Sequence, residues 1–394
     1  MRPRLGIYVD DVYRVDRTGV MSTDRAFLLF ACEVGRRFQA LSLFGRAVRS
    51  EAPSDYVLPT AVTLVALPHY RDLKSARAIA RASVGTARAM WRGLAGTDIV
   101  WVFGPHPFGF LLIALALARR RRVVLGVRQE TLTYARNRMP GVGRWSPKLF
   151  GVRVLDASHR VLARRLPATL VGPAIVAQYG GERPTNLDMT VSLVPARILA
   201  DSPREGGVDG RVELLTVGRL EVEKNPLLVV EMLAELEHRR PGRFRLTWIG
   251  RGALEPEVRR LAQQRGVEGL IELRGYVPFG PELLDLYRRV DIFVHVSWTE
   301  GVPQVLIEAL ACATPIVATA VGGVSRTLEE GRSGLLVPPG DRHALVEAVE
   351  RLADDATLRH AMAERGLERA SRLTLEAQTE RVARFIFAGQ VDPS

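Results

Sequence analysis

Two acids and two bases in the second half of the chain could bind or transform a charged substrate. Glu300 opens the stretch EGVPQVLIEALACA, and Glu308 lies inside its apolar segment VLIEALA. A carboxylate buried in such a segment is costly without a partner. Upstream, LLTVGRLEVEKNP carries Arg219 and Lys224. Taken alone, the two glutamates resemble an acid–base pair, whereas with the two cations they resemble a binding site for an anionic ligand.

The segment LLTVGRLEVEKNP predicts a strand, a loop and the first turn of a helix that begins near Pro226. This order would place Arg219 and Lys224 beside the free backbone N–H groups of a helix N-terminus. Two cations at such a point make an anion site that suits a phosphate or a diphosphate. The alternative is a loop whose cations form salt bridges with Glu221 and Glu223.

The stretch around the two acids predicts a second strand–turn–helix unit. DIFVHVS is typical of a strand, WTEG of a turn, and VPQVLIEALACA of a helix with Pro303 in its first turn. Glu300 is then expected at the carboxyl end of the strand and Glu308 about two turns along the helix. A buried carboxylate there can accept two hydroxyl hydrogen bonds, as a ribose diol offers. The alternatives are a first-turn acid favoured by the helix dipole and a core ion pair.

Alternating elements indicate the fold that must position these residues. Residues 212–372 alternate helical patterns with six short apolar runs, VELLTVG, FRLTWIG, LIEL, DIFVHVS, TPIVATA and GLLVP. The first half does so less clearly, with LGIYVD, VTLVAL, DIVWVFG and VVLGV, and helices near 22–37, 73–93 and 108–119. Such alternation predicts parallel sheets covered on both faces. The expected fold class is α/β, with two Rossmann-like doubly wound domains facing a cleft.

The charge is concentrated in the first half of the chain. Residues 1–205 carry 31 Lys and Arg against 15 Asp and Glu, and the remainder carries 24 against 28, for a net charge of +12. A basic half attracts phosphorylated ligands, anionic lipid head groups or nucleic acid. Alternatively, arginine supplies the solvated surface charge of a chain whose only lysines are Lys74, Lys148 and Lys224.

Cysteine usage and apolar runs bear on the compartment. Cys32 and Cys312 both fall in apolar helical patterns and are expected to be small core residues, with no disulfide framework or cysteine metal site. This fits a reducing, cytoplasmic compartment. The N-terminal MRPRLGIYVDD reaches acids too early for a signal peptide. The longest apolar run, FGFLLIALALA, is shorter than the about 20 residues that span a bilayer.

Four motifs, in their order and spacing, resemble glycosyltransferase family 4. They are VGRLEVEKN, TEGVPQVLIEALACATPIVAT, the pair Gly322–Gly323 and GLLVPPGD. The resemblance is specific across 212–345 and weaker over 1–200. Members of that family are retaining, nucleotide-sugar-dependent enzymes with the two-domain GT-B fold.

The family fold implies a division of the chain. An N-terminal Rossmann-like domain on the acceptor side is expected over 1–199. The polar, glycine-containing ADSPREGGVDGR at 200–211 is expected to be the linker. A nucleotide-sugar donor domain is expected over 212–372. The C-terminal helix, within 373–394, would cross back and pack on the first domain.

The resemblance also implies a role for each matched residue. Arg219, Lys224 and Glu300 would form the catalytic group, in which the two cations hold the donor diphosphate and offset leaving-group charge. Gly19, in the RTGVMST loop, would also contact the diphosphate. The donor sugar would contact Glu300, Gly301, Val302 and Pro303. Glu308 would bind the ribose, and Tyr276 and Val277 would contact the base. The chain has no D-x-D motif, so we expect no metal ion. We expect no cofactor other than the donor, a UDP- or GDP-sugar.

The acceptor side departs from the family pattern. Many relatives carry a histidine after the fourth N-terminal strand, whereas here that strand, VVLGVRQE, ends in Arg128 and Gln129. His106, in FGPHPFG, is the other candidate for an acceptor contact, and its alternative role is to cap the following helix. Ala313 stands where glycine is usual. The sugar and acceptor contacts are the least defined by the sequence.

The implied reaction transfers a sugar from a nucleotide-sugar donor to an acceptor hydroxyl with retention of configuration. A lipid-linked or anionic cell-envelope or polysaccharide precursor is one acceptor class, and a small-molecule natural product is another. A sugar phosphorylase of the same fold is an alternative activity. A glycosidase using Glu300 and Glu308 is a further one, but neither rival explains Arg219 and Lys224 as well.

A membrane-binding or nucleic-acid-binding module is the non-enzymatic alternative. Five basic residues fall on one face of the helix predicted near 73–93, namely Lys74, Arg77, Arg81, Arg88 and Arg92. That face and the Arg119–Arg122 run leave open a peripheral contact with an anionic membrane at its cytoplasmic surface. The alternatives are a solvated face and cations favoured by a helix dipole. No nucleic-acid motif is present, and no nucleic-acid partner is expected.

Overall fold

The computed structural model describes residues 2–50, 56–70, 76–128, 131–132, 135, 146–203 and 210–389. The chain forms two compact units, one of Met1–Leu193 with Leu375–Ser394 and one of Val194–Thr374. The division falls before the expected linker at 200–211, of which 204–209 lie outside the described residues.

The described part of the first unit contains one nine-stranded sheet. Its strands are β1 Leu5–Val15, β2 Met21–Thr23, β3 Leu41–Arg49, β4 Tyr56–Val57, β5 Val62–Leu67, β6 Ile99–Phe103, β7 Arg122–Val127, β8 Ala168–Leu170 and β9 Asn186–Asp188. Seven of them are parallel, in the order β5–β3–β1–β6–β7–β8–β9. The short strands β2 and β4 pair antiparallel beside the end of β1.

Helices of the first unit pack their apolar faces on this sheet. They include α1 Phe27–Gly35, α2 Ala76–Gly93, α3 Pro107–Ala118, α4 Pro147–Ala163 and α5 Pro173–Gln178, with a 3-10 turn at Leu94–Gly96. Tyr8 and Phe44 from the sheet and Met90 and Leu112 from the helices share one buried cluster. This parallel, helix-covered sheet is the Rossmann-like arrangement that the alternation predicts.

The structure corrects two predictions in this unit. Leu41–Arg49 form β3, a strand that the sequence pattern misses because Gly45 and Arg46 interrupt its apolar run. The helix predicted near 22–37 begins only at Phe27, since Met21–Thr23 pair with β1. Consequently VVLGV is the fifth parallel strand in the chain and not the fourth. The fourth is β6, and His106 follows it closely.

The described part of the second unit contains a six-stranded parallel sheet in the order β12–β11–β10–β13–β14–β15. Its strands are β10 Val212–Val217, β11 Phe244–Ile249, β12 Ile271–Gly275, β13 Ile292–His295, β14 Ile316–Thr319 and β15 Leu335–Val337. Five of them lie within one of the six apolar runs of 212–372, and β12 begins in LIEL and extends two residues further, to Gly275. The prediction of six strands is confirmed. Strands β10 to β12 are added toward one edge of the sheet and β13 to β15 toward the other, so the strand order reverses between β10 and β13. Doubly wound sheets bind ligands at this position.

Both faces of the second sheet are covered by helices. They are α6 Pro226–Arg239, α7 Glu255–Gln264, α8 Pro281–Arg289, α9 Gln304–Ala311, α10 Val324–Thr327, α11 Arg342–Asp354 and α12 Ala356–Arg372. Single 3-10 turns lie at Ala196–Ile198, Val222–Lys224, Glu268–Leu270 and Glu329–Gly331. One buried cluster contains Leu214 and Leu233, and the other contains Leu215 and Leu306, because alternate residues of β10 face opposite sides.

The last helix, α13 Leu375–Ala388, belongs to the first unit. It packs against α1, with Phe385 and Ile386 buried. Arg37 Nε lies 2.9 Å from a carboxylate oxygen of Glu380, and Arg122 Nη1 donates to the Phe387 carbonyl at 2.8 Å. The apolar face of α13 and these two arginines therefore attach the last helix to the first unit.

Among the residues that the structure describes, no helix is both long enough and apolar enough to cross a bilayer.

We expect the attachment of α13 to depend on Phe385. Phe385 is 2% exposed and Phe387, on the same helix, is 54% exposed. Truncating a buried phenylalanine costs about 3–5 kcal/mol, whereas an exposed substitution usually changes stability by less than about 0.5 kcal/mol. Phe385→Ala should therefore lower the urea midpoint of the first unit's transition far more than Phe387→Ala. Equal shifts in circular dichroism for the two variants would contradict this packing.

Candidate active site

Lys224 and Glu300 come together where the strand order of the second sheet reverses, between β10 and β13. The Lys224 ammonium donates to Glu300 Oε1. Ser297 Oγ donates to the same oxygen at 2.7 Å, and His295 Nε2 lies 3.0 Å from it. The side chains of Lys224 and Glu300 are 20% and 9% exposed. Three groups therefore share Oε1, while Oε2 has no partner among the described residues and is open to a ligand.

The partners of Glu300 determine its charge. Burial raises the pKa of this carboxyl, but the contacts with His295 and Lys224 outweigh burial and lower it to about 2. Glu300 is therefore ionised at neutral pH. It can accept hydrogen bonds from a ligand's hydroxyl groups, but it cannot act as a proton donor.

Arg219 is placed differently from Lys224. Its side chain is 67% exposed, and Arg219 Nη2 lies 2.6 Å from Glu223 Oε1. The alternative of a salt-bridged loop is thus realised for Arg219 with Glu223, whereas Lys224 pairs with Glu300. Because an exposed pair contributes little and reorganises easily, Arg219 can turn to an incoming anion.

The loop that carries both cations is a short 3-10 turn, Val222–Lys224, followed directly by α6. Trp298, in the turn after β13, donates its backbone N–H to the Glu223 carbonyl at 2.9 Å. The ring of Trp298 packs on Gly340, where an added Cβ would lie 2.5 Å from it. The ends of β10, β13 and β15 are thereby held together around a ring that is 51% exposed.

Glycines permit the close backbone approach that this site requires. A Cβ on Gly322 would lie 1.9 Å from the Glu300 carbonyl oxygen, and one on Gly323 would lie 2.1 Å from that of Gly301. The Gly323 N–H donates to the Gly301 carbonyl at 2.9 Å. The paired glycines therefore fix the backbone of the predicted sugar-binding residues, since any side chain there would force the two turns apart.

A second pair of glycines supports the cation loop in the same way. A Cβ on Gly250 would lie 2.0 Å from the Gly218 carbonyl oxygen, and one on Gly252 would lie 2.3 Å from that of Leu220. The sequence analysis did not single out this pair. Its pattern, WIGRG directly after an apolar strand, is the feature that could have revealed it.

Glu308 lies apart from the Lys224–Glu300 pair and has a tyrosine as its partner. Tyr287 donates its hydroxyl to Glu308 Oε2 at 3.0 Å, and Glu308 is 5% exposed. Burial raises the pKa of Glu308 to about 7, although the Tyr287 hydrogen bond opposes this shift. Among the described residues, Glu308 therefore forms no core ion pair, and that alternative is wrong. Its partner is the neutral hydroxyl of Tyr287. Oε1 has no partner in the described part of the chain.

The helix that positions Glu308 is shorter than predicted. It spans Gln304–Ala311, so Pro303 precedes the helix in an extended conformation and does not lie in its first turn. The helix ends before Ala313, which has a φ of +55°. This left-handed conformation explains why glycine suits that position, because it carries no Cβ penalty there.

The predicted base-binding residues follow β12 at the same edge of the sheet. Gly275 ends the strand with a φ of +74°, and Tyr276 is 49% exposed. Val277 packs against the buried cluster that contains Leu306. The structure thus presents a half-exposed aromatic ring and a strand-end backbone, with Val277 anchored in the core.

Gly19 belongs to the first unit and lies in the turn between β1 and β2. Its φ is +87°, and its N–H donates to the Asp16 carbonyl at 3.2 Å. The Asp16 carboxylate accepts from the N–H groups of Thr18 and Val20 at 2.8 and 2.9 Å. The RTGV loop is therefore a hairpin turn stabilised by an aspartate, in which glycine is needed for the positive φ.

His106 is the N-cap of α3, as its alternative role proposed. His106 Nδ1 accepts from the Phe108 N–H at 3.3 Å and lies 2.7 Å from the Tyr8 hydroxyl. Burial lowers the pKa of this imidazole, with Asp10 opposing the shift, so the ring is neutral at neutral pH. The capping role leaves Nε2 as the nitrogen that can serve another group.

Arg128 follows β7 and stacks on an aromatic ring. Its guanidinium lies 3.6 Å from the centre of the Phe27 ring. Burial lowers its pKa to about 9, with Arg25 adding to this effect and Asp11 opposing it. No carboxylate pairs with it among the described residues, which is suited to an anionic ligand group. Gln129 lies outside the described residues.

Three residues of the site were missed by sequence reasoning. His295, Ser297 and Tyr287 each contact one of the two glutamates. His295 and Ser297 sit in a run read only as a strand, and Tyr287 lies in an amphipathic helix. Polar residues at the end of an otherwise apolar strand, directly before WTEG, were the available indication.

Known proteins resemble both the sequence and the fold. Residues 211–355 match the family model Glycosyl transferases group 1. The D-inositol 3-phosphate glycosyltransferase of Arthrobacter sp. (strain FB24) is 31% identical over 252 residues, covering 60% of this chain and 59% of that enzyme. That of Kribbella flavida is 28% identical over 368 residues, covering 87% of this chain and 85% of that enzyme. The match to the Arthrobacter enzyme thus spans about three fifths of its length.

A solved structure extends the likeness of fold over nearly the whole chain. The Anabaena protein Alr3699/HepE, solved in complex with UDP, is 15% identical and has a TM-score of 0.71 over 98% of this chain and 100% of that one. At that identity the likeness concerns the fold alone, which is GT-B. The fold is thus GT-B, and residues 211–355 are similar to the Glycosyl transferases group 1 family, in agreement with the resemblance of the sequence to family 4.

Proposed function

We propose that this protein transfers a sugar from a nucleotide-sugar donor to an acceptor hydroxyl with retention of configuration. The observation that carries the proposal is the Lys224–Glu300 pair at the reversal of the second sheet, which leaves Glu300 Oε2 open. Arg219 and Lys224 would bind the donor diphosphate. The donor is a UDP- or GDP-sugar, and no metal ion takes part.

The cations act on the leaving group. Glycosyl transfer passes through an oxocarbenium-like state and expels a charged diphosphate, so stabilising that charge lowers the barrier. Lys224 is already held by Glu300 and needs little reorganisation when the donor arrives. Arg219 leaves its exposed contact with Glu223 and completes the anion site.

The two glutamates bind different parts of the donor. Glu300 is ionised and would accept a sugar hydroxyl through Oε2, while the backbone of Gly301, Val302 and Pro303 lines the sugar. Glu308 would accept the ribose hydroxyls. Tyr276 and Val277 would receive the base.

The contrast in pKa between the two glutamates also suits a glycosidase, which pairs one protonated acid with one carboxylate. Glu308, however, is buried against Tyr287. A nucleotide-binding measurement separates the two activities, because a glycosidase has no reason to bind UDP or GDP.

The acceptor is proposed to be a hydroxylated ring with an anionic group. The relatives named above include enzymes that act on D-inositol 3-phosphate. His106, Arg128 and Gln129 are the proposed acceptor-side residues. Arg128 is the proposed contact of the anionic group, since its guanidinium has no carboxylate partner in the described part of the chain.

A peripheral membrane contact is proposed for the first unit, on the cytoplasmic side. The Arg119 guanidinium lies 4.0 Å from the centre of the Trp91 ring, which joins the ends of α2 and α3 in one surface. Arg88, Trp91 and Arg92 are exposed, and so is Leu117. Cations around an exposed tryptophan suit an anionic lipid surface. Lys74 and the side chains of Arg77 and Arg81 lie outside the described residues.

We expect Lys224→Ala to abolish nucleotide recognition and transfer. Loss of one preorganised group that stabilises developing negative charge lowers kcat by roughly 100- to 1000-fold. Wild-type protein should gain thermal stability from UDP or GDP, by about 2.7 kcal/mol at 100-fold excess over Kd, and the variant should not. Thermal-shift assays and release of UDP or GDP from a panel of nucleotide sugars measure both effects.

Arg245→Ala is the matched control for that experiment. Arg245 is an exposed cation of the same unit, on β11 away from the site. It should leave both the thermal shift and turnover unchanged. Full activity in Lys224→Ala, or a wild-type protein indifferent to every nucleotide tested, would sink the proposed function.

We expect UDP binding to gain from ionisation of Glu308. Its raised pKa of about 7 means that the folded protein loses this proton as pH rises from 6 to 8. Only the ionised carboxylate accepts two hydroxyl hydrogen bonds, so its contribution to affinity should increase over that range. The difference in UDP affinity between wild type and Glu308→Gln should therefore widen with pH, to roughly 10-fold or more. Isothermal titration calorimetry at several pH values measures this.

Comparing wild type with the variant cancels the titration of UDP itself. The control is Glu272→Gln, because that side chain is 66% exposed and lies on the surface beside Arg274. A difference between wild type and Glu308→Gln that stays constant with pH would argue against a ribose contact by this carboxylate.

The membrane contact predicts salt-sensitive binding to anionic vesicles. Each arginine near such a surface contributes about 1 kcal/mol, so the double variant Arg88→Ser/Arg92→Ser should bind roughly 30-fold more weakly at low salt. The control removes the same charge from the second unit, in Arg245→Ser/Arg260→Ser. Co-sedimentation with vesicles containing phosphatidylglycerol measures both. No binding of wild type at low salt would rule out the membrane contact only.

A further inference from the structure

A second cluster of polar side chains lies in the first unit, where β5 and β6 end beside the longer strands β1 and β3. Arg46 lies in β3, Tyr70 follows β5, His106 follows β6, and Asp10 lies in β1. These strands are adjacent in the order β5–β3–β1–β6. The carboxyl edge of a parallel sheet is where such folds bind ligands.

Irregular pairing of β1 directs Asp10 toward this edge. Tyr8 pairs with Phe44, but the next pair is Val12 with Arg46, so β1 has two extra residues there. Such a bulge re-aims the side chains of the extra residues. Asp10 lies in this bulge, so its side chain does not follow the regular alternation of β1. Its carboxylate is the centre of the cluster.

Two donors bind the Asp10 carboxylate, and a third polar group lies near it. The Tyr70 hydroxyl donates to Oδ1, and Arg46 Nη2 donates to Oδ2 at 3.2 Å. His106 Nε2 lies 3.4 Å from Oδ2. The Arg46 guanidinium stacks 4.4 Å from the centre of the Tyr70 ring and donates to the Tyr70 carbonyl. Arg46 and Tyr70 therefore hold each other and, through each other, the orientation of Asp10.

The contacts of His106 fix which of its nitrogens carries the proton. Nδ1 accepts from the Phe108 N–H and faces the Tyr8 hydroxyl, so the neutral ring carries its proton on Nε2. That nitrogen lies near Asp10 Oδ2 without forming a hydrogen bond to it. Of the two side chains Asp10 is the more exposed, at 28% against 19%.

We propose that the Asp10 carboxylate binds hydroxyl groups of a polyhydroxylated acceptor ring, with Arg46, Tyr70 and His106 as positioning residues. A carboxylate offers about four acceptor positions, and the hydrogen bonds from Tyr70 and Arg46 occupy two of them. The remaining acceptor positions and the partial exposure suit O–H donors from a ligand. The Arg46 charge balances that of Asp10, so the site favours a neutral diol over an anion. Any anionic group of the same ligand would require a separate cation.

This inference rests on the proposed function, since it names the acceptor subsite of that reaction. The test is direct binding of myo-inositol, D-inositol 3-phosphate and glucose to the full chain saturated with UDP, by saturation-transfer NMR and calorimetry. Asp10→Asn should weaken polyol binding by roughly 10- to 100-fold, the effect of losing hydrogen bonds to a charged group. Affinity for UDP should not change.

Asp24→Asn is the matched control, because that carboxylate is 61% exposed and pairs with Arg14 in the same unit. It should leave polyol and UDP affinities unchanged. Tyr70→Phe keeps the carboxylate and the ring but removes one positioning bond. It should weaken polyol binding by roughly 3- to 10-fold, and it serves as the test if Asp10→Asn fails to fold.

The two hypotheses fail in different ways. If wild type binds UDP but none of the polyols, or if neither Asp10→Asn nor Tyr70→Phe changes polyol affinity, the acceptor subsite is wrong while the donor site stands. Loss of UDP affinity in Asp10→Asn would likewise overturn it, since a hydroxyl contact to the acceptor alone cannot produce that loss. Absence of UDP binding by wild type would instead refute the proposed function.

Discussion

Burial of the Glu300 carboxylate is the constraint on which the second unit's site depends. A charge that is 9% exposed is stable there only because Lys224, Ser297 and His295 meet on one of its oxygens. Lys224 comes from the loop after β10, and the other two come from the end of β13. Those strands are neighbours because the sheet order reverses there. The same reversal that defines the fold thus provides the partners that the charge requires.

Close backbone contacts make this convergence possible. Gly250 and Gly252 press against the loop after β10, and Gly322 and Gly323 press against the turn after β13. Both contacts bring carbonyl oxygens to within about 2 Å of where a Cβ would stand. The positions of Lys224 and Glu300 are therefore set by backbone packing more than by their own side-chain contacts. The backbone of Arg219 lies in the same packed loop, between Gly218 and Leu220, but its exposed side chain is free to reorient.

The two units treat charge in contrasting ways. In the second unit an acid is held ionised for a ligand, and Glu308 is raised toward neutrality by burial. In the first unit Asp10 is matched by Arg46, while Arg128 lies on an aromatic ring without a carboxylate among the described residues. One unit thus carries the sites proposed for an anionic, ribose-containing ligand. The other separates the carboxylate proposed to bind hydroxyl groups from the guanidinium proposed to bind an anionic group.

The sequence by itself determined the α/β class, the six strands of the second unit, the resemblance to family 4 and the residues that follow those strands. Local alternation encodes which faces are buried, and residue types at strand ends indicate where ligands bind. It missed β3, because Gly45 and Arg46 broke the pattern, and therefore misnumbered the strands before His106. Only the tertiary structure decided that Lys224 pairs with Glu300, that Arg219 pairs with Glu223, and that Tyr287 holds Glu308. The partners of Glu300 and Glu308 are distant in the chain, so only packing of the strands and helices brings them together. Arg219 has two acids in its own loop, and the fold of that loop selects Glu223, because Glu221 accepts from the Ala253 N–H instead.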